Sequence, residues 1–151
     1  MKRIVIIGSS GAGKSTFSKA LSNRLNLPLT HLDHIRWDSH WQERSREEFS
    51  KRLDTLMLGE KWILDGNYTD TLPQRLEKAD TLIFLDFDRW ICTWRVLKRW
   101  ILKGSSHADC CPRRFDLKFL KYVFWDYQAT HRKRVLDVKS QYQGKVNWIT
   151  L

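Results

Sequence analysis

The sequence predicts an α/β fold on a parallel sheet, and three observations carry the prediction. Apolar, β-branched runs of strand length alternate with segments whose apolar residues recur every three or four positions. A glycine-rich turn, GSSGAGKST over 8–16, joins the first run to the first periodic segment. Aspartates close several of the runs, at the edge where open parallel sheets take their ligands.

The elements follow in order. RIVII (3–7) is a continuous buried strand ended by Gly8. Residues 14–25 form a helix with Phe17, Leu21 and Leu25 on one face, and Pro28 closes the unit. LTHLD (29–33) is a short second strand. A helix over 44–58 turns Phe49, Leu53 and Leu56 inward and stops at Gly59. KWILDG (61–66) and DTLIFLDF (80–87) are strands three and four, and DGNYTDTLPQR (65–75) is a loop. Asp88 caps the next helix, on which Trp90, Trp94, Leu97 and Ile101 step along one face to a stop at Gly104. A long helix over 115–138 carries Phe119, Val123 and Tyr127, and KVNWITL (145–151) is the fifth strand. Right-handed crossovers place helices on both faces of such a sheet, giving three layers. The eight tryptophans are expected mostly in the core or between helices.

A chain of 151 residues with 42% apolar content is the size of one domain, 1–151, and has the composition of a soluble globular protein. No apolar run approaches the roughly 20 residues of a membrane span, and four apolar residues after Met1 are too few for a signal-peptide core. The expected compartment is the cytoplasm, with no membrane partner. Three cysteines, Cys92, Cys110 and Cys111, make no disulfide framework, and His107 with the last two supplies no evident fourth zinc ligand. Charge is uneven. Residues 1–88 carry 13 basic and 13 acidic side chains, so the whole excess of +10 lies in 89–151. Such a surface is either a solvated basic helix face or a place that meets phosphate, on a small ligand or on nucleic acid.

The glycine turn fits G-x-x-x-x-G-K-[ST] as Gly8, Ser9, Ser10, Gly11, Ala12, Gly13, Lys14, Ser15. A polyphosphate needs many donors at once, so backbone N–H groups must curl around it, and glycine allows the curl. The helix beginning at Lys14 turns its positive dipole end to the phosphates. Lys14 reaches the β- and γ-phosphates, the Ser15 hydroxyl ligates magnesium, and Thr16 lies within reach of an α-phosphate oxygen. ATP and Mg²⁺ are the implied ligands.

Asp33 ends strand two, where it is a candidate to accept a hydroxyl proton from a phosphate acceptor. Asp65 ends strand three, suited to hold the magnesium through water. Either is alternatively a cap, and Asp86 with Asp88 starts the tryptophan helix. Gly66 and Asn67 belong to the loop at the site edge, and Arg75 is expected to reach inward from it. Arg95 and Arg99 stand one helical turn apart and suit the charge of a phosphoryl transition state, or else a wet helix side. Arg113, Arg114, Arg132 and Arg134 extend the basic surface. Trp37, Trp41 and Tyr68 suggest a flat acceptor group, although core packing explains them equally.

Together these motifs resemble adenylate-kinase-like P-loop proteins of nucleoside-monophosphate-kinase type, and more closely the DNA topology modulation (FlaR-type) proteins. The resemblance rests on the P-loop, Leu32-Asp33 with Trp37 and Trp41, Trp62 to Tyr68, Arg75, Leu85 to Arg99, and Cys111 to Phe115. It implies a five-stranded parallel sheet in the order 2-3-1-4-5, a mobile acceptor-binding segment about 34–60 and an arginine-bearing lid about 99–115. Arg113 stands where the group carries glutamate. Relatives of this kind continue past the fifth strand into a loop that helps hold the adenine base and a final helix, which leaves C-terminal truncation of this chain open.

The function expected is ATP- and magnesium-dependent phosphoryl transfer to a small molecule, nucleoside- or nucleotide-like or shikimate-like. Lys14, Asp33, Arg95 and Arg99 would be catalytic. Asp33, Trp37, Asp65, Gly66, Asn67 and Arg75 would line the substrate side. A nucleotide-binding regulator associated with DNA and an NTP-hydrolysing switch are the alternatives. No base-reading motif supports nucleic acid, and no side chain is evidently placed to orient a hydrolytic water.

Overall fold

A computed structural model describes residues 1–38, 42–101 and 117–151. Five strands form one parallel sheet: β1 (Arg3–Gly8), β2 (Leu29–His31), β3 (Trp62–Asp65), β4 (Thr81–Leu85) and β5 (Asn147–Thr150), in the order β2-β3-β1-β4-β5. The predicted α/β architecture and strand order are those observed. The ladder between β4 and β5 continues past the strands, Leu151 N–H to Phe84 O at 3.0 Å and Asp86 N–H to Leu151 O at 2.9 Å.

Alternation along the central strands sorts the core into two sides. Val5, Ile7, Leu64, Leu82 and Phe84 face one way. They meet Phe49 and Leu53 of α3 (Arg46–Leu56), Leu72 and Leu76 of α4 (Leu72–Leu76), and Val135 of α7 (Lys133–Gln141). Ile4, Ile6, Ile63, Ile83 and Leu85 face the other way. There they meet Phe17 and Leu21 of α1 (Lys14–Leu25), and Cys92 and Val96 of α5 (Arg89–Ile101). The result is the expected three-layer sandwich. Local chemistry starts the helices: the Ser45 hydroxyl accepts from Glu48 N–H at the head of α3, and the Asp88 carboxylate accepts from Trp90 N–H at 2.8 Å ahead of α5.

Several expectations are corrected. The second strand stops at His31, because Leu32 and Ile35 bury themselves at helical spacing in α2 (Leu32–Arg36). Asp33 therefore sits in a first helical turn. Part of the expected 65–75 loop is a 3₁₀ turn (Thr69–Thr71) running into α4, where Pro73 fits the first turn and Leu72 and Leu76 enter the core. On α5 the buried residues are Cys92 and Val96, while Trp90 is 70% and Trp94 62% exposed. Trp100 and Trp125 are also exposed, so four of the seven described tryptophans are exposed. The long C-terminal helix spans α6 (Leu117–Lys121), a π-helical stretch (Tyr122–Arg132) and α7. Among the described residues no helix is long and apolar enough to cross a membrane. Trp41, His107, Cys110, Cys111, Arg113, Arg114 and most of the expected lid lie outside the described residues.

Candidate functional site

The glycine turn lies at the carboxyl end of β1, between β3 and β4, with α1 directly behind it. Ala12 N–H closes the turn onto Ser9 O at 3.1 Å. Gly11 has φ +86°, and its α-carbon is pressed so close to the Cys92 carbonyl of α5 that a Cβ would collide with it. Gly13, at φ +89°, precedes α1 with open space around it and offers no side chain to cap the helix. The first helical bond is Phe17 N–H to Gly13 O at 3.0 Å. The amides of Lys14, Ser15 and Thr16 thus precede any intrahelical acceptor. With Ser15 and Thr16 exposed, this arrangement can accept an anion. Lys14 folds back over the turn, its ammonium donating to Ser9 O at 3.0 Å. Burial holds its pKa below the ordinary lysine value, opposed by the charges of Asp65 and then Asp33.

Asp65 is almost fully buried at the end of β3. His31 Nδ1 lies 2.7 Å from its Oδ2, and the Ser18 hydroxyl donates to the same oxygen at 3.3 Å. Its Oδ1 is buried without a hydrogen-bond partner. Asp33 is exposed, and its Oδ1 accepts from the Tyr68 hydroxyl at 2.7 Å. Burial first, and then Asp33, push the Tyr68 hydroxyl well above its ordinary pKa, so it stays a donor. A side-chain hydrogen bond with Trp37 acts in the opposite sense. Tyr68 packs at 5.1 Å on Phe49. Lys14, Asp33 and Asp65 are therefore electrostatic neighbours, joined by Arg99, whose charge also acts on Lys14. Burial lowers the Arg99 pKa. Arg95 is exposed, with its guanidinium 4.9 Å from the Phe87 ring centre.

Arg75 departs from expectation. Its side chain is fully buried, with Nη1 donating to Gly66 O at 2.9 Å and Nη2 to Tyr68 O at 2.6 Å. Burial brings its pKa down to about 9, which leaves it charged at neutral pH. It braces the 66–68 loop from beneath rather than reaching the site surface. The Asn67 Oδ1 is buried without a partner, and Gly66 packs against Leu32. Asp86 is engaged with Arg132, which donates from Nε at 2.9 Å and Nη2 at 2.7 Å. His31 and Ser18 escape sequence reasoning. The strand register, His31 opposite Asp65, brings the first to the carboxylate, and the packing of α1 on that side of the sheet brings the second. A shallow groove lined by Leu76, Glu77, Ala79, Gln141, Tyr142 and Lys145 opens ahead of β4, at the other end of the sheet, and shares no residue with this site.

Comparison with known proteins places this geometry. No family model matches the chain. The uncharacterized protein YqaC of Bacillus subtilis (strain 168) is 46% identical over 69 residues, a match spanning 43% of this chain and 38% of that protein. The chain thus spans well under half the length of that curated relative. The shikimate kinase of Acinetobacter baumannii, solved with shikimate, superposes with a TM-score of 0.63 at 16% identity, covering 100% of this chain and 83% of that one. The Bacillus subtilis YorR protein, solved with phosphorylated GDP, gives 0.59 at 14% identity over 98% and 84% of the chains. A gluconokinase from Sinorhizobium meliloti gives 0.56 at 14% identity over 99% and 81%. The fold is that of the P-loop kinases.

Proposed function

We propose that the chain is an ATP-dependent kinase of a small, hydroxyl-bearing acceptor, working as one cytoplasmic P-loop domain of the DNA topology modulation (FlaR-type) group. One observation carries the reading: a glycine turn with free first-turn amides stands beside Lys14, with two carboxylates, Asp33 in the first turn of α2 and Asp65 at the end of β3, in electrostatic contact with that lysine. Phosphoryl transfer asks for positioning and charge more than covalent work.

Each residue has a part in that scheme. The amides from Gly8 to Thr16 and the Lys14 ammonium bind the phosphates and answer the charge that builds on them. Ser15 and Asp65, the latter through water, would hold Mg²⁺, and the unpartnered Asp65 Oδ1 fits that task. When bound, the ion neutralises charge on the transferring group. The exposed Asp33 carboxylate orients the acceptor hydroxyl and takes up its proton, with the Tyr68 hydroxyl, itself hydrogen-bonded with Trp37, holding the carboxylate still. Arg99 closes on the phosphoryl oxygens, and Arg95 supports it from the preceding turn. Screening nucleosides, nucleotides, shikimate-like polyols and sugars for ADP release tests the reading. Turnover that needs one acceptor class is the expected result, and ATP loss indifferent to every acceptor counts against it.

The basic excess of 89–151 and the exposed Trp90 and Trp94 favour a second reading, a nucleotide-binding protein that also touches nucleic acid. A duplex titration at two salt concentrations separates them. Affinity weaker than about 10 μM at physiological salt is non-specific background.

A further inference from the structure

The acidic residue assigned to the metal side is held in an unusual way. His31 and Asp65 are register partners on the neighbouring parallel strands β2 and β3, so their side chains leave the sheet on the same face. His31 Nδ1 reaches Asp65 Oδ2 at 2.7 Å. Ser18, one turn beyond Ser15 on α1, has its hydroxyl 3.3 Å from that same oxygen and 3.2 Å from Ser15 O, one proton serving the two acceptors. An ionised carboxylate only accepts, so Nδ1 carries the proton in this pair. Both protein donors converge on one oxygen, while the other is buried and unpaired. A carboxylate that served only the fold would gain by satisfying both oxygens.

We propose that His31 is a positioning residue for the metal: it locks the Asp65 carboxylate through Oδ2 and so reserves Oδ1 for the water shell of a nucleotide-bound divalent cation. The inference rests on the kinase reading above and deepens it. His31 also stands two residues before Asp33, at the junction of β2 and α2, so one short segment sets both the metal-side and the acceptor-side carboxylate. Ser18 supplies the second hold on Asp65 and ties it to the helix that carries Ser15.

The test measures Mn²⁺ binding to the protein saturated with ADP, by electron paramagnetic resonance, alongside ADP affinity in EDTA. His31→Leu removes the donor at similar volume. It is expected to weaken Mn²⁺ binding about tenfold or more, as loss of an outer-shell partner does, and to leave metal-free ADP affinity within about twofold. His31→Asn, whose amide takes the place of Nδ1, restores Mn²⁺ affinity. His31→Gln, whose amide falls where Nε2 lies, does not. The Asn and Gln pair keeps the question answerable if the leucine variant fails to fold. Equal Mn²⁺ affinity in wild type and His31→Leu, or in the Asn and Gln variants, overturns this inference alone. A parallel loss of metal-free ADP binding overturns it as well, as a structural effect. Absence of any Mn²⁺–ADP binding by the wild type overturns this inference and the kinase reading together.

Discussion

Three glycines share nearly the same left-handed backbone, φ +86° at Gly11, +89° at Gly13 and +82° at Gly144, in different surroundings. That makes them a calibrated probe of how the phosphate-binding turn is built. Alanine at any of the three suffers the strain of φ > 0, about 1–2 kcal/mol. At Gly144 and Gly13 an added methyl would have nothing within 4 Å, so strain is the whole cost there. At Gly11 the new Cβ meets the carbonyl of Cys92, a backbone atom that moves only if α5 moves. Overpacking of that kind adds about 1–3 kcal/mol. Gly11→Ala should therefore fall below Gly144→Ala by about 2 kcal/mol, or about 4–8 °C in Tm for a chain of this size. Gly13→Ala should match Gly144→Ala in stability yet lose nucleotide-induced stabilisation, because the position caps α1 beside its first-turn amides. Thermal and urea denaturation of the three variants, with and without ATP·Mg²⁺, reads both effects. Equal stability of Gly11→Ala and Gly144→Ala would refute the claim that the turn is seated on α5.

The other predictions concern single side chains. Asp33→Asn should lower turnover by about 10²-fold or more while leaving the ATP-induced shift in Tm intact, since a general base contributes about that much. Arg75→Met should speed amide exchange across 66–71 by hydrogen exchange mass spectrometry, because the carbonyls of Gly66 and Tyr68 lose their donors. Unchanged exchange would return Arg75 to the ligand side. His131 contacts the Thr69 hydroxyl at 3.1 Å, and burial, then Arg134, hold its pKa below the ordinary imidazole value of 6.5. A neutral imidazole is thus the folded form. Stability is complete above about pH 6.5 and declines as pH falls from there toward the lower folded value, since the unfolded chain takes up the proton first. His131→Gln should flatten the stability profile between pH 7 and 5, followed by urea midpoints.

Much of this was legible in the sequence because the signals are local. Glycine spacing, a lysine and two hydroxyls define the phosphate turn within nine residues, and β-branched runs define the central strands. The strand order came from family resemblance, since nothing in a run of valines and isoleucines names its neighbour. Misreadings arose where two local patterns compete. Trp90, Trp94, Leu97 and Ile101 form an apolar stripe at helical spacing, but Cys92 and Val96 form another, and the smaller side chains are the ones the closely packed turn and sheet admit. An arginine after a site loop reads as a ligand, yet Arg75 is spent on carbonyls of its own loop. His31 and Ser18 carry no motif; His31 meets Asp65 through strand register and Ser18 through the packing of α1 on the sheet.

The central claim is that the amides between Gly8 and Thr16, with Lys14, grip a nucleoside triphosphate. The measurement closest to it is the shift in Tm produced by ATP·Mg²⁺ in wild type and in Lys14→Ala. Nucleotide at a hundredfold over Kd adds about 2.7 kcal/mol to the wild type, a rise of about 5–10 °C. The Tm of each protein without nucleotide is its own baseline, so any loss of the Lys14 contact to Ser9 O does not enter the comparison. The account predicts that the rise vanishes in Lys14→Ala. A wild-type Tm that ignores ATP·Mg²⁺, or a variant that responds as fully as the wild type, would contradict it.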